Sequence, residues 1–315
     1  YWLAIHANRV DAVVGWTREA GTHYLWQLSA TQPPNPAGGT VFRRAVVAAG
    51  AITTSDDYRI PRSYAMRGVY DATDPLYGAK GDGVFDNTPA FNLAFARVGS
   101  HCVLPPGTYL IATNLDEPQC ATLEGGGIYV TFIKAGPSVT TALKVNTAVR
   151  LQRLANLTID GNTTVNARGL VIGENGVSGL VSDLYYENVA VNSFTGTGAI
   201  GIYYRNITKA QFVHVTTGGN RVNEVFEGDG NINLPQELRF YGPGPQNAIE
   251  EGTKIITGRE LTFVDRDFEA SGKEGVKLIR NTGVDVLGIY FIRCHFEGNW
   301  LSDIMNPVGS FIGNT

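Results

Sequence analysis

The chain has 315 residues, 43% of them hydrophobic, a mean hydropathy near zero and a net charge of −4. That composition supports a large packed core; no basic run invites a nucleic acid, and no stretch of about 18 apolar residues offers a membrane-spanning helix. Glycine is abundant, 38 residues beside 14 prolines, as in a chain that turns a corner every few residues. Cys102, Cys120 and Cys294 are odd in number, widely spaced and without histidines in a zinc arrangement, so they are read as buried side chains and no metal or other cofactor is expected.

Residues 1–65 differ in texture from the rest. Trp2, Trp16 and Trp26 gather here, residues 24–28 (YLWQL) read as a strand, residues 31–40 (TQPPNPAGGT) as a turn or linker, and residues 41–52 as an apolar strand or helix. This region is expected to be a small β-rich domain that docks on a neighbouring protein, or else the first layers of the fold that follows. Residues 66–100 then form a connector and helix, and residues 101–315 the main body. The chain starts at Tyr1 without methionine and stops at Thr315 without a visible cap, so it is expected to be a piece of a longer protein.

Residues 76–111, LYGAKGDGVFDNTPAFNLAFARVGSHCVLPPGTYLI, organise the chain. Thr88 suits an N-cap, Pro89 the first helical position and Gly99 a left-handed stop, which predicts a helix over residues 89–98. Phe91, Ala94, Phe95 and Val98 follow at helical spacing and make one apolar stripe. Asp82 and Asp86 read as turn and cap residues. Gly-rich turn, helix, strand, Pro-Pro-Gly turn and strand, with these residues, resemble the start of the right-handed parallel β-helix domains of the pectate-lyase-like superfamily, in which YGAKGDGxxDxTxAFxxA precedes a PPGxY strand. The resemblance implies an all-β right-handed parallel β-helix whose open first turn is covered by the amphipathic helix.

Beyond the turn, short strands alternate with Gly, Asn and Asp. The clearest apolar pairs are Leu157/Ile159, Val189/Val191, Val213/Val215, Leu238/Phe240, Leu261/Phe263 and Ile289/Phe291, stepping by 32, 24, 25, 23 and 28 residues. Such a period fits a solenoid whose strands stack ~4.8 Å apart, with residues 161–175 and 218–235 as longer loops. The best internal repeat aligns FVDRDFEASG (263–272) with FIRCHFEGNW (291–300) at an offset of 28. It stacks Phe263 on Phe291 and Phe268 on Phe296, and it predicts charge pairs of Asp265 with Arg293 and of Asp267 with His295 on the outer face.

The same repeat puts Glu269 over Glu297 one strand spacing apart, near the ~5–5.5 Å used by retaining glycosidases. Glu269, Glu297 and the neighbouring Asp265 are therefore the candidate catalytic carboxylates, although a glutamate after an inward phenylalanine also serves as a turn cap. Asp267, His295, Trp300 and Tyr290 are the candidate substrate contacts, with Tyr186 and Tyr204 as further stacking faces if they point outward. Residues 227–233 alternate oxygen ligands but lack glycine at the sixth position and a glutamate at the twelfth, which is Leu238, so no calcium is expected there. Asn156, Asn162 and Asn206 match a glycosylation pattern that matters only in a secreted eukaryotic protein. No GxSxG, HExxH, Walker or GxGxxG context occurs.

The superfamily includes bacteriophage tailspikes and bacterial polysaccharide-degrading enzymes. The resemblance thus implies a tailspike or tail-fibre protein of the virion tail that recognises, and in its enzymatic form depolymerises, a bacterial surface polysaccharide. Partners implied are that glycan, virion proteins at the N-terminal region and two further copies in a homotrimer, with Tyr185 and Tyr203 as exposed interface candidates. The alternatives are a bacterial polysaccharide lyase or glycosidase secreted on its own, and a virion protein in which the β-helix is a rigid spacer.

Overall fold

The computed structural model describes residues 68–146, 151–161, 167–173, 181–228, 234–279 and 286–305, together with four strands of the N-terminal region. Contacts divide the chain into two compact units, Tyr1–Arg62 and Ser63–Thr315. In the first, Val14–Glu19 pairs antiparallel with Thr22–Gln27, and Val46–Ala48 with Ala51–Thr54. Within the apolar stretch 41–52, Val46–Ala48 and Ala51–Thr54 are strand, and the strand expected at 24–28 begins two residues earlier.

The second unit is a right-handed parallel β-solenoid. Stacking begins inside the expected connector, where Val69–Asp71 already pairs with His101–Leu104 and Asp82–Asp86 with Gly107–Ile111. Helix α1 spans Thr88–Phe95 and is shorter than its sequence signal. Asn87, not Thr88, is the N-cap residue; Asp86 Oδ1 accepts from the Thr88 hydroxyl at 2.7 Å, and also from the Thr88 N–H at 2.9 Å and the Ala112 N–H at 3.0 Å, which holds its carboxyl below the usual range. Phe91 and Phe95 are buried and stacked at 5.0 Å, whereas Val98 lies past the helix end and is 78% exposed.

One side of the solenoid is a seven-stranded sheet: Thr141–Val145, Arg168–Ile172, Ile200–Tyr204, Val222–Phe226, Thr253–Ile255, Glu274–Leu278 and Ser302–Met305. The rest of each turn is a long strand bent over several faces. The bends fall on residues with left-handed backbone, and these stack in columns. Leu151, Asp183, Lys209, Glu237, Glu260 and Gly288 make one column; Asn156, Asn188, His214, Gly242, Asp265 and Arg293 the next; Ser193, Gly219, Asn247, Ala270 and Gly298 the third. Among the described residues, only Tyr129 of the left-handed non-glycine residues stands outside them. Each such residue costs roughly 1–2 kcal/mol in an L-chain, a cost the parallel hydrogen bonds on both sides of the corner offset.

These corners correct the register expected from the apolar pairs. Leu157 and Ile159 do stack on Val189 and Val191, but the next layer is Val215 and Thr217, not Val213 and Val215. Val213 and Val215 straddle the left-handed His214, so they belong to different faces and are no in-out pair. From Leu238/Phe240 through Leu261/Phe263 to Ile289/Phe291 the register is as read. Inside, Phe212, Phe240, Phe263 and Phe291 stack face to face at 4.7, 5.0 and 5.3 Å. Cys102, Cys120 and Cys294 are buried free thiols.

One interior layer is polar, which the apolar pattern of the chain does not foretell. Arg266, fully buried, crosses the core to Glu224 on the seven-stranded sheet, where Glu224 also accepts from Thr253 Oγ1 at 3.1 Å. Its Nη1 donates to the Val215 carbonyl at 3.2 Å, and its guanidinium lies 5.0 Å from the Phe240 ring centre. Space comes from Gly242-Pro243-Gly244: Pro243 turns outward, and a Cβ on Gly244 would stand 2.6 Å from Arg266 Cγ. Burial pushes the Glu224 carboxyl up against the opposing pull of Arg266. Removing one member of such a pair leaves an unpaired buried charge, so Arg266→Met or Glu224→Leu is expected to destabilise the solenoid by about 3–5 kcal/mol, and the double replacement to recover much of that loss. Denaturant midpoints of the three variants check this.

Candidate functional site

The strands Asp267–Glu269 and His295–Glu297 lie side by side in parallel, with Asp267 opposite His295, Phe268 opposite Phe296 and Glu269 opposite Glu297. Phe268 and Phe296 point inward and stack at 5.0 Å. Strand alternation then turns Asp267, Glu269, His295 and Glu297 outward onto one face. The predicted stacking of the two glutamates is present.

The imidazole decides how these groups interact. His295 does not pair with Asp267 directly opposite; its Nδ1 lies 2.8 Å from Glu269 Oε1 on the diagonal, and its Nε2 lies 3.5 Å from Glu297 Oε2. The longer glutamate side chain reaches the ring from the diagonal position, which the shorter aspartate does not. Asp267 stays close, since one donor atom from each of Asp267, Glu269 and His295 falls within 4.8 Å of the others. Gln246, one turn back, donates from Nε2 to Glu269 Oε2 at 3.4 Å. The hydrogen bond to Glu269, with the charges of Glu297 and Asp267 behind it, raises the His295 pKa above its ordinary value. Glu269 thereby orients the ring and leaves Nε2 facing Glu297 at ion-pair distance.

Asp265 is placed differently. It sits at the left-handed corner and binds Arg293 through two hydrogen bonds of 2.7 Å. The predicted Asp265–Arg293 pair is thus formed, and it holds the Asp265 carboxyl below the usual range, a poor state for a proton donor. Tyr290 precedes this corner and is 54% exposed; Trp300 follows the next corner and is 82% exposed. They flank the acidic face on its two sides. Tyr186 and Tyr204 are instead fully buried, because they occupy inward positions beside Phe212, and Tyr203 is buried too. Of the two tyrosines expected on an exposed flank, only Tyr185 is accessible, at 38%.

A second polar network escaped the sequence reading. Arg153 joins Glu124, at 3.2 Å, to Glu187, which also accepts from the Tyr185 hydroxyl at 3.0 Å. Along the corner beside it, Asn156 donates to Glu124 at 3.1 Å and Asn188 donates to Asn156 at 3.1 Å. The Asn156 side chain is thereby committed to the ladder, and Asn206 is buried. The offsets between these residues were the available signal, but only a correct register reveals them. A polar cleft of about 700 Å³, lined among others by Asn114, Asp116, Lys144 and Arg168, contains none of the expected site residues. Residues 229–233 of the calcium-like segment, and Asn162, lie outside the described residues.

The family model described as rhamnogalacturonase A/epimerase, pectate lyase-like, matches residues 75–298. No curated protein matches the sequence. Among solved structures, the Dettilon tailspike protein gp208 is similar at a TM-score of 0.52 and 18% identity over 76% of this chain and 46% of that one. The phiAB6 tailspike, solved with oligosaccharides of Acinetobacter baumannii surface polysaccharide, matches at 0.39 and 14% over 80% and 52%. The A-module of Azotobacter vinelandii mannuronan C-5 epimerase AlgE6 matches at 0.39 and 19% over 75% and 79%. The chain spans about half the length of the two tailspike chains.

The raised pKa of His295 carries a sign for stability. A histidine whose folded value lies above its unfolded value of about 6.5 contributes stability that is complete below that pH and fades as pH rises through the folded value. His295→Gln is therefore expected to be least stable relative to the parent on the acid side, with the gap closing toward alkaline pH; melting temperatures across a pH series check this. A gap independent of pH would contradict the His295–Glu269 pairing.

Proposed function

The chain belongs to the pectate-lyase-like family described as rhamnogalacturonase A/epimerase, and from that premise we propose that it recognises a polysaccharide along the solenoid and cleaves it at the face formed by Glu269, His295 and Glu297. The observation that carries this reading is the in-register pair of glutamates with an imidazole between them, exposed on one face and flanked by Tyr290 and Trp300. Aromatic faces stack on sugar rings, and paired acids with a proton carrier between them supply general acid and base to a glycosidic bond. Glu297, 73% exposed, is the group assigned to the substrate, and Glu269 orients His295.

In the biological setting proposed, the protein is a phage tailspike or tail-fibre component acting on a bacterial surface polysaccharide. Residues 1–65 attach it to the virion, α1 covers the open first turn, and three copies associate. The opening motif supports this setting, while the family supports a polysaccharide target and the likeness to the Dettilon tailspike supports the fold alone. A bacterial enzyme working by itself would use the same face; its mass in solution as the full-length protein, trimer against monomer, distinguishes the two. The open position of Glu297 also favours a second reading, binding without cleavage, because water reaches the group freely.

Glu297→Gln keeps shape but removes the ionisable group. Cleavage of a susceptible surface polysaccharide, followed by reducing-end release, is expected to fall ~10²–10⁴-fold, while melting temperature and glycan binding stay near those of the parent. Unchanged release with a lowered melting temperature would instead mark Glu297 as a structural cap.

A further inference from the structure

We infer that the outer sheet face between the first and second corner columns carries a binding strip, centred on Arg239, that takes a carboxylate of the polysaccharide and is separate from the face of Glu269, His295 and Glu297; this rests on the polysaccharide reading of the protein. The strip follows from register. Two outward columns run along the solenoid on this face, and the inward pile of Phe212, Phe240, Phe263 and Phe291 between them fixes their direction. One column runs Arg153, Tyr185, Gln211, Arg239, Thr262 and Tyr290. The other runs from Glu187 through Val213, Tyr241 and Val264 to Ile292.

The two halves of this face differ in what meets their arginines. Arg153 is held by Glu124 at 3.2 Å and by Glu187, and Glu124 also takes His101 at 2.9 Å. Arg239 stands in the same column three turns on, but the positions around it are Gln211, Val213, Tyr241, Thr262 and Val264, none of them acidic. Glu237 and Glu260, in the adjoining corner column, form no ion pair with it. Among the described residues, Arg239 is exposed and makes no ion pair, whereas Arg153, Arg221, Arg266 and Arg293 are each held by a carboxylate. What Glu124 and Glu187 supply to Arg153 from within the chain, a ligand carboxylate supplies to Arg239, whose guanidinium fork donates two parallel hydrogen bonds to such a group. The neighbours suit the rest of a sugar chain. Tyr185 is 38% and Tyr290 54% exposed, and the half-buried Val213, Tyr241, Val264 and Ile292 make an apolar stripe beside them. Tyr185 and Tyr290 lie four strand spacings apart, ~19 Å, with Arg239 midway. An extended chain along the solenoid axis therefore meets a ring at each end and the cation at its centre.

The test measures binding by the full chain carrying Glu297→Gln, so that cleavage does not consume the probe, alone and combined with Arg239→Gln or Gln211→Glu. The probes are purified carboxylate-bearing bacterial surface polysaccharides, each in native and carboxyl-reduced form, together with neutral ones. Arg239→Gln is expected to weaken binding of a native acidic polysaccharide about tenfold and to leave binding of its reduced form unchanged. Gln211→Glu sets a carboxylate opposite Arg239 and is expected to do the same, with the melting temperature held. Equal loss on native and reduced forms, or tight binding of an acidic polysaccharide that Arg239→Gln does not weaken, overturns the strip and leaves the polysaccharide reading standing. Binding confined to neutral polysaccharides does likewise. No binding to any member by the folded protein overturns the polysaccharide reading and this inference together.

Discussion

Parallel stacking in register is the constraint on which the rest of this structure depends. Each strand takes its backbone hydrogen bonds from the turns before and after it, so one residue added between corners would turn every following side chain from the core to solvent. The corners solve this by using left-handed residues at equivalent positions in successive turns, from Asn156 and Asn188 through His214 and Gly242 to Asp265 and Arg293. Glycine accepts such a backbone freely, and Asn and Asp accept it more readily than most residues. That Lys209, Glu237 and Arg293 also adopt it indicates that the sheets on either side, and not the intrinsic preference of the residue, dictate the bend.

The same stacking makes columns out of residues far apart in sequence. Inside, four phenylalanines form one face-to-face pile, and burying each side chain is worth roughly 1.5–3 kcal/mol. Arg266 interrupts the neighbouring column where Pro243 leaves it, and Glu224 meets its charge across the core. A buried ion pair is weak support for stability by itself, since desolvation opposes the attraction. Its effect here is on uniqueness: Arg266 and Glu224 fit one stacking register and leave an unpaired charge in any other.

Outside, the columns bring polar side chains of successive turns together. Glu269 and Glu297 are one strand spacing apart, with Phe268 and Phe296 stacked inward between them and their strand neighbours. His295 lies against both acids, while Asp265, two residues before the strand, is taken up by Arg293.

How much was legible in the sequence follows from what each feature depends on. In residues 76–111 the local turn, cap and helix signals showed the elements and their resemblance to a family motif implied the fold, and the gapless repeat of 263–272 on 291–300 placed Phe263 on Phe291 and Glu269 on Glu297 because equal spacing survives folding. Val213 and Val215 misled because alternation assumes a straight strand, and His214 bends this one. The inward turn of Tyr186 and Tyr204, the outward turn of Pro243 and the pairing of Arg266 with Glu224, 42 residues away, were invisible. So was the choice of Glu269 over Asp267 by His295. Periodicity in one chain determines which strands follow one another; only the stacked structure decides which side chains meet across a turn, because that distance is set by the corners and not by the sequence between them.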